Sequence, residues 1–192
     1  MDEGRNEPGP EVVAGLRAGD EGAARQFFRQ LHPFVLKIVR NHRPAHQSEE
    51  DLCQMIFLKA FSKISQYSGQ IPVSHWVSRI AVNTCITELK RARSRKELRE
   101  ADLGDEDRDL LAQIADPAAG DETALLAARE LVARLLDRLA PADRVVISLL
   151  HLDGYSVAET SALTGFSRAV VKIRAFRARC GLPLAVSEML IS

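Results

Sequence analysis

Ser156-Val-Ala-Glu-Thr-Ser-Ala-Leu-Thr-Gly165-Phe-Ser-Arg-Ala-Val-Val-Lys-Ile-Arg-Ala-Phe-Arg-Ala-Arg179 divides itself into two helices and a tight turn. Ser156 and Glu159 have the spacing of a capping box and open a short helix to about Leu163. Gly165 supplies the turn, and Ser167 caps a longer helix to about Arg179. Short helix, glycine turn, longer helix is the layout of a helix-turn-helix, in which the first helix props the second against the major groove. Val157, Ala158, Leu163, Phe166, Val170 and Ile173 or Phe176 are expected to bury the inner faces. Arg168, Lys172, Arg174, Arg177 and Arg179 are expected outside. Residues 165–183 contain no acid, so this surface can neutralise phosphates while an Arg near the helix start reaches base edges. A helical hairpin with a solvated basic face would share the charge pattern. The glycine turn, both caps and the one-signed charge together favour DNA.

Working outward, Pro141 suits the first turn of a helix running to about Leu152. Asp153-Gly154 ends it with a glycine available for a left-handed cap. A helix at about 121–139 precedes it. Before that, residues 100–122 hold nine acids against Arg108 alone, with Pro117 and Gly120 among them. This stretch reads as an acidic, flexible linker. The N-terminal half reads as helices at 11–18, about 21–42, from Ser48 (with Asp51 as a capping-box partner) to about Ser65, and about Ser74 to Arg95. Pro33 is a candidate kink in the second of these, and Tyr67–Val73 is a loop. Trp76, Val77, Ile80, Ala81, Ile86 and Leu89 are expected to face inward. The chain is therefore all-α: two small helical domains joined by an acidic linker, the second containing the helix-turn-helix. The expected boundaries are a disordered N-terminus at 1–10, a first domain at 11–96, the linker at 97–120, a second domain at 121–183 and a tail at 184–192.

The 192 residues carry a formal net charge of +0, so charge distribution rather than bulk charge points to a partner. The polar, acidic first ten residues lack the apolar core of a secretory signal, and no apolar run approaches the roughly 18 residues of a membrane helix. Cys53, Cys85 and Cys180 are far apart and form no CxxC pair, which argues for reduced thiols, the first two in helical cores. His32, His42, His46, His75 and His151 lack metal-ligand spacing, Pro44 interrupting the helix between His42 and His46. No phosphate-cradling glycine loop, nucleophile elbow or paired catalytic carboxylates are present, so the expectation is a non-enzyme with no cofactor and no small-molecule substrate.

Pro141-Ala-Asp-Arg144, Gly154-Tyr-Ser156 and Gly165-Phe-Ser-Arg-Ala-Val-Val-Lys-Ile-Arg174 with Arg177-Ala-Arg179 resemble sigma factor region 4, which binds the promoter −35 element. The match falls on Gly165, Phe166, Ser167, Val171, Lys172, Arg174, Arg177, Ala178 and Arg179, and departs at Val170, where Thr is usual, and at Thr160, where an aliphatic residue is usual. Glu50-Asp-Leu-Cys-Gln54 followed by Phe57-Leu-Lys-Ala-Phe61 resembles the region 2 helix that grips the polymerase clamp. An acid is usual in the family at Met55. Trp76-Val-Ser-Arg-Ile-Ala-Val-Asn83 with Leu89-Lys-Arg91 resembles the −10 recognition helix, and Tyr67–Val73 its specificity loop. Two such regions in order, with only the acidic linker between them, resemble the extracytoplasmic-function (ECF) group of sigma factors.

The resemblance implies the site residues. Asp51, Gln54, Met55 and Leu58 would contact polymerase. Tyr67, Ser68, Gln70, Arg79, Asn83, Lys90, Arg91 and Arg93 would meet melted −10 DNA, where exposed base faces and edges suit aromatics and amides, and Arg95 and Lys96 would join them along the backbone. Ser167, Arg168, Val171, Lys172, Arg174 and Arg177 would meet the −35 duplex. Core RNA polymerase and promoter DNA are the implied partners, together with an anti-sigma factor, membrane-associated or soluble, that holds a cytoplasmic protein inactive. Bland readings stand beside these: Trp76 as a core residue, Asn83 as a solvated amide, and Lys90–Lys96 as an ordinary basic helix end suited to the helix dipole. The acidic linker is either a plain tether or a charge that shields the basic surfaces until polymerase binds. A stand-alone helix-turn-helix regulator and a helical adaptor that never touches DNA are the alternatives in other classes.

Overall fold

The computed structural model describes residues 7–44, 47–102, 132 and 134–182, with side chains of 96–102 excepted. Among these residues there are helices and turns and no strand. The order is α1 (Pro10–Arg17), α2 (Glu21–His42), α3 (Glu49–Lys63) with a 3₁₀ turn (Ile64–Gln66), α4 (Val73–Asp102), α5 (Pro141–Ile147) with a π-helical turn (Ser148–Leu152), α6 (Val157–Thr164) and α7 (Arg168–Cys180). Residues 134–137 are also helical, the end of the helix expected at 121–139; the rest of that helix, most of the linker, residues 1–6 and residues 183–192 lie outside the described residues.

Local chemistry sets the helix starts. Pro10 and Pro141 sit in the first turns of α1 and α5, where a missing N–H costs nothing. The Asp20 carboxylate accepts from Ala23 N at 2.8 Å to start α2. Helix α2 continues through Pro33 because Phe27, Leu31, Val35, Ile38 and Val39 bury one continuous face against the core. Ser48 caps α3, but its hydroxyl accepts from Glu50 N, so the reciprocal capping box with Asp51 does not form. The box at Ser156 and Glu159 does form, in both directions. Gly165 closes α6 at φ +77°, a left-handed conformation that only glycine adopts without strain.

Two boundaries differ from the sequence reading. Helix α4 runs to Asp102, past Arg95 and into the acidic stretch, since nothing in Lys96–Asp102 breaks a helix until Gly104. Residues 7–9 of the expected disordered terminus are ordered against the first domain: the Glu7 carboxylate accepts from Ser74 N at 3.1 Å, an acid at the start of α4.

The first domain packs α2, α3 and α4 around Phe27, Leu52, Ile56, Val77, Val82 and Cys85, all with almost no exposure. The second domain does not stand apart. Ala142, Val145, Leu149 and Leu163 belong to the same apolar core as α2, α3 and α4. A polar clasp borders this contact. Asn41 donates to Asp153 at 2.5 Å, Lys37 lies 3.5 Å from the Tyr155 hydroxyl and 5.4 Å from its ring, and Ser78 donates to Leu163 O at 3.1 Å. Asp153 and Tyr155 follow directly on the π turn, which ends at Leu152. Four buried apolar side chains outweigh the clasp: larger ones contribute roughly 1.5–3 kcal/mol each, a neutral hydrogen bond about 1.

His42 lies at the centre of this junction, 1 % exposed, with Nε2 3.6 Å from an Asp153 oxygen. Burial, and secondarily the nearby Arg144 guanidinium, lower its pKa to about 4. Its folded pKa is therefore below its unfolded value of about 6.5, so the unfolded chain binds the extra proton first. Stability from neutral His42 is complete above about pH 6.5 and drains as pH falls toward about 4. His42→Leu is expected to flatten the fall in melting temperature between pH 7 and 4.5; parallel curves for variant and parent would show that another group governs it.

Candidate functional site

Three surfaces carry the residues singled out in the sequence. The first is on α3. Asp51 and Gln54 are exposed on one face, and Leu58 continues that face at 61 % exposure. Met55 is half-buried and packs against the core, so it offers only part of a side chain to a partner. Beside Gln54 and Leu58 opens a concave pocket of about 350 Å³, whose apolar walls include Phe28, His32, Phe57 and Phe61. Phe28 and Phe57 ring centres lie 4.7 Å apart, and Phe28 and His32 4.9 Å apart. Phe28 and His32 come from α2 and were not anticipated as site residues. The doublet Phe27-Phe28 was the available signal, since a helix buries one of two adjacent aromatics and turns the other toward the edge.

The second surface is the loop before α4 and the exposed side of α4. Tyr67 is half-buried, its hydroxyl donating to Ile71 O at 2.6 Å and its ring 5.4 Å from Trp76, while its backbone carbonyl accepts from Arg17. It braces the loop as well as lining it. Ser68 and Gln70 are exposed beside Gly69, which turns the loop at φ +77°. Trp76 packs on the core, as the bland reading had it. Asn83 is exposed one helix face away from buried Val82. Lys90, Arg91 and Arg93 follow it on the exposed side, Arg91 pairing with buried Glu88 at 2.7 Å. Arg79 is different: its Nε donates to Ala162 O at 3.0 Å, and its chain lies against Gly165. In this arrangement α6 occupies Arg79.

The third surface is α7. Ser167 caps it, accepting from Val170 N at 3.3 Å, and Arg168, Lys172 and Arg177 are exposed. Two expected contact residues lie elsewhere. Val171 has no exposure and packs with Val146 and Ala175, so in this structure it anchors the helix and cannot touch a duplex. Arg174 is half-buried, donating to Asp143 at 2.8 Å and stacking 4.8 Å over the Phe166 ring. Its guanidinium is committed to α5 and the turn. The inner face consists of Val171, Ala175 and Ala178, with Thr160, Leu163 and Thr164 on α6. Val170, Ile173 and Phe176, expected inside, are 36 %, 57 % and 62 % exposed, and Ala158 is exposed as well. Val171, Ala175 and Ala178 take the buried side of α7, and Phe176, next to Ala175 in sequence, falls on the exposed side.

Among the described residues no group of His, Cys, Asp or Glu is placed to hold a metal, and no helix is long and apolar enough to cross a membrane. Burial raises the pKa of the Cys85 thiol to about 12, so it packs as an inert small apolar group.

Two family models match in order along the chain: Sigma-70 region 2 over residues 27–95 and Sigma-70 region 4 over residues 129–179. A relative in Mycobacterium tuberculosis, the ECF RNA polymerase sigma factor SigM, is 31 % identical over 172 residues, spanning 90 % of this chain and 81 % of the relative. The chain belongs to the ECF sigma factors. The ECF RNA polymerase sigma-E factor of Escherichia coli K12 is 28 % identical over 88 % of both chains. The fold is shared with CnrH, solved in complex with the cytosolic domain of CnrY (TM-score 0.53, 22 % identity, 89 % of this chain and 92 % of that one). It is also shared with RpoE from Bartonella quintana, solved with the anti-sigma factor NepR (TM-score 0.52, 20 % identity, 87 % and 95 %). In this ECF sigma factor the region 4 match ends at Arg179, so Asp143, Arg174 and the whole helix-turn-helix fall inside it.

Asp143 is 4 % exposed and carries both Arg174 and, at 3.8 Å, Arg177. Removing its charge leaves a half-buried guanidinium without its acid. Asp143→Asn is expected to lower stability by about 1–3 kcal/mol, read as a lower denaturation midpoint with unchanged slope. An unchanged midpoint would mean the pair contributes no more than a surface ion pair.

Proposed function

We propose that this chain binds core RNA polymerase and directs promoter-specific transcription initiation, acting by binding rather than catalysis, in the cytoplasm. The observation that carries this reading is the ordered pair of region 2 and region 4 matches in one chain. The first domain, residues 11–96, docks on polymerase through Asp51, Gln54 and Leu58, with Met55 in a minor role. It takes melted −10 DNA through Tyr67, Ser68, Gln70, Asn83 and the basic side of α4 (Lys90, Arg91, Arg93). The second domain, residues 121–183, reads the −35 duplex with α7, using Ser167, Arg168, Lys172 and Arg177. The acidic stretch at 97–120 tethers them, less the part that α4 continues through.

Arg79 serves −10 DNA only after leaving Ala162 O, so promoter engagement on this reading requires α6 to separate from α4. An anti-sigma factor that binds both domains would hold them in the closed form. The solved complexes of CnrH with CnrY and of RpoE with NepR support such a partner, and the apolar pocket beside Leu58 is a surface suited to it.

Run-off transcription with core polymerase, with and without the purified chain, tests the reading. New discrete start sites that depend on the chain are expected; active core and folded protein with no new transcripts would sink it. Asp51→Ala with Gln54→Ala is expected to weaken core binding about tenfold or more, since hydrogen bonds to charged groups are worth about 1.5–3 kcal/mol, while leaving the melting temperature unchanged. Asn83→Ala is expected to reduce permanganate reactivity at −10 thymines more than it reduces closed-complex formation. Equal losses in both would remove Asn83 from base recognition.

A further inference from the structure

His42 is sealed where the two domains meet. It is 1 % exposed, and neither ring nitrogen has a hydrogen-bond partner. One Asp153 oxygen comes within 3.6 Å of Nε2, too far for a hydrogen bond, while the other accepts from Asn41 at 2.5 Å. Arg144 of α5 lies close enough for its charge to oppose a second cation there, and its own Nε is buried without a partner. A charged imidazole in this place would hold two N–H donors with nothing to accept them and a guanidinium beside it.

We propose that His42 is a proton-operated latch: protonating its imidazole opens the junction between the two domains and uncovers Arg79 and the side of α4 that α6 covers. The inference rests on the reading that promoter engagement requires this opening. Asp153 and Arg144 both belong to the second domain, so opening carries them away and returns the ring to water. Burial first, and Arg144 second, lower the pKa of the ring to about 4 in the closed form; in water an imidazole titrates near about 6.5. The open form therefore takes the proton first, and falling pH shifts the balance toward it. Between about pH 7.5 and pH 5.5 the shift is about tenfold. The other charged groups around the junction do not supply it. Lys37 on α2 meets Tyr155, Arg43 on α2 pairs with Glu49 on α3, and Arg79 on α4 is held by the Ala162 carbonyl. Burial raises the pKa of Asp153, against Lys37 and the Asn41 hydrogen bond. Protonated Asp153 favours the closed form, so it opposes His42 only as pH nears the carboxylate range at about 4. His151 in the π turn is the other imidazole of the second domain, its pKa lowered by burial and then by Arg179 of the same domain.

Thiol alkylation of the full chain reads the opening. Ala142 lies in the shared core at 9 % exposure, Cys180 is exposed, and Cys85 has no exposure. In the Ala142→Cys chain, the rate at position 142 divided by the rate at Cys180 cancels the pH dependence of the reagent. From about pH 7.5 to pH 5.5 this ratio is expected to rise about tenfold, with Cys85 unlabelled. Adding His42→Leu is expected to flatten the rise, and adding His151→Gln to leave it in place. A ratio that stays constant or falls with acid overturns the proposal, and that arm needs no change at His42. The same rise with His42→Leu in place, or its loss with His151→Gln, overturns it as well. Labelling of Cys85 in step with position 142 overturns it in favour of general unfolding. The assay contains neither polymerase nor DNA, so failure of the promoter reading is seen separately, as absence of chain-dependent transcription.

Discussion

Val77, Ala81, Val82 and Cys85 line α4 with no exposure, and both halves of the chain pack on this helix. α2 and α3 cover it from one side, and α6 with α5 from the other. One helix thus belongs to two interfaces, and that double burial governs what the molecule can do. The far side of α4 cannot face DNA while α6 is docked, and Arg79 is held by the Ala162 carbonyl for the same reason. Separation returns Val145, Leu149 and Leu163 to water at a cost of roughly 1.5–3 kcal/mol each. The closed form is therefore favoured by the same apolar residues that stabilise the second domain.

The polar clasp around that contact adds direction rather than strength. Asn41 and His42 both meet Asp153, and Lys37 meets Tyr155. Each pair needs α2 and the π turn in one register, whereas apolar contact tolerates sliding. His42 gains no hydrogen bond at either ring nitrogen, and its neutrality is enforced by burial. A buried imidazole without hydrogen bonds makes the junction sensitive to pH in a way that a leucine would not.

Much of the fold was legible because it is written in local signals. Asp20, Ser48, Ser156, Ser167, Pro141 and Gly165 mark boundaries by chemistry that acts within four residues. The end of α4 was misplaced because Lys96–Asp102 carries helix-compatible residues whose acidity suggested a linker; charge composition alone does not end a helix. The docking of one domain on the other was not legible. Its determinants, Val145, Leu149 and Leu163, look in sequence like the private core of the second domain, and only their surroundings reveal that they are shared. At the candidate site, the shared face of Asp51 and Gln54 on α3 followed from helical spacing, and the loop before α4 from its glycine and proline. On α7 the apolar pattern was ambiguous, since Val170, Ile173 and Phe176 compete with Val171, Ala175 and Ala178 for one buried face. The second set is the buried one, and sequence periodicity alone does not choose between two adjacent apolar faces.

That outcome separates two kinds of residue within one motif. Val171, Arg174 and Ala178 match the family pattern, and all three face the protein: one in the core, one on Asp143 and Phe166, one against the helix at residues 134–137 and Leu182. Motif membership here marks what holds α7 in place. A helix that must enter a groove at a fixed depth needs its inner face specified in detail, because a shift of one side-chain layer would move every outward residue with it. The outward positions carry no such constraint from the fold. Ile173 and Phe176 bury little in the chain, so their identity answers to whatever lies outside it, and two large apolar side chains left in water cost solubility with no gain in stability. Lys172 and Arg177 join the inner set by motif and the outer set by exposure. Their charge is useful at the backbone of any duplex, whatever its sequence. The scaffold residues therefore set where α7 sits, and the exposed cations suit any duplex that it meets.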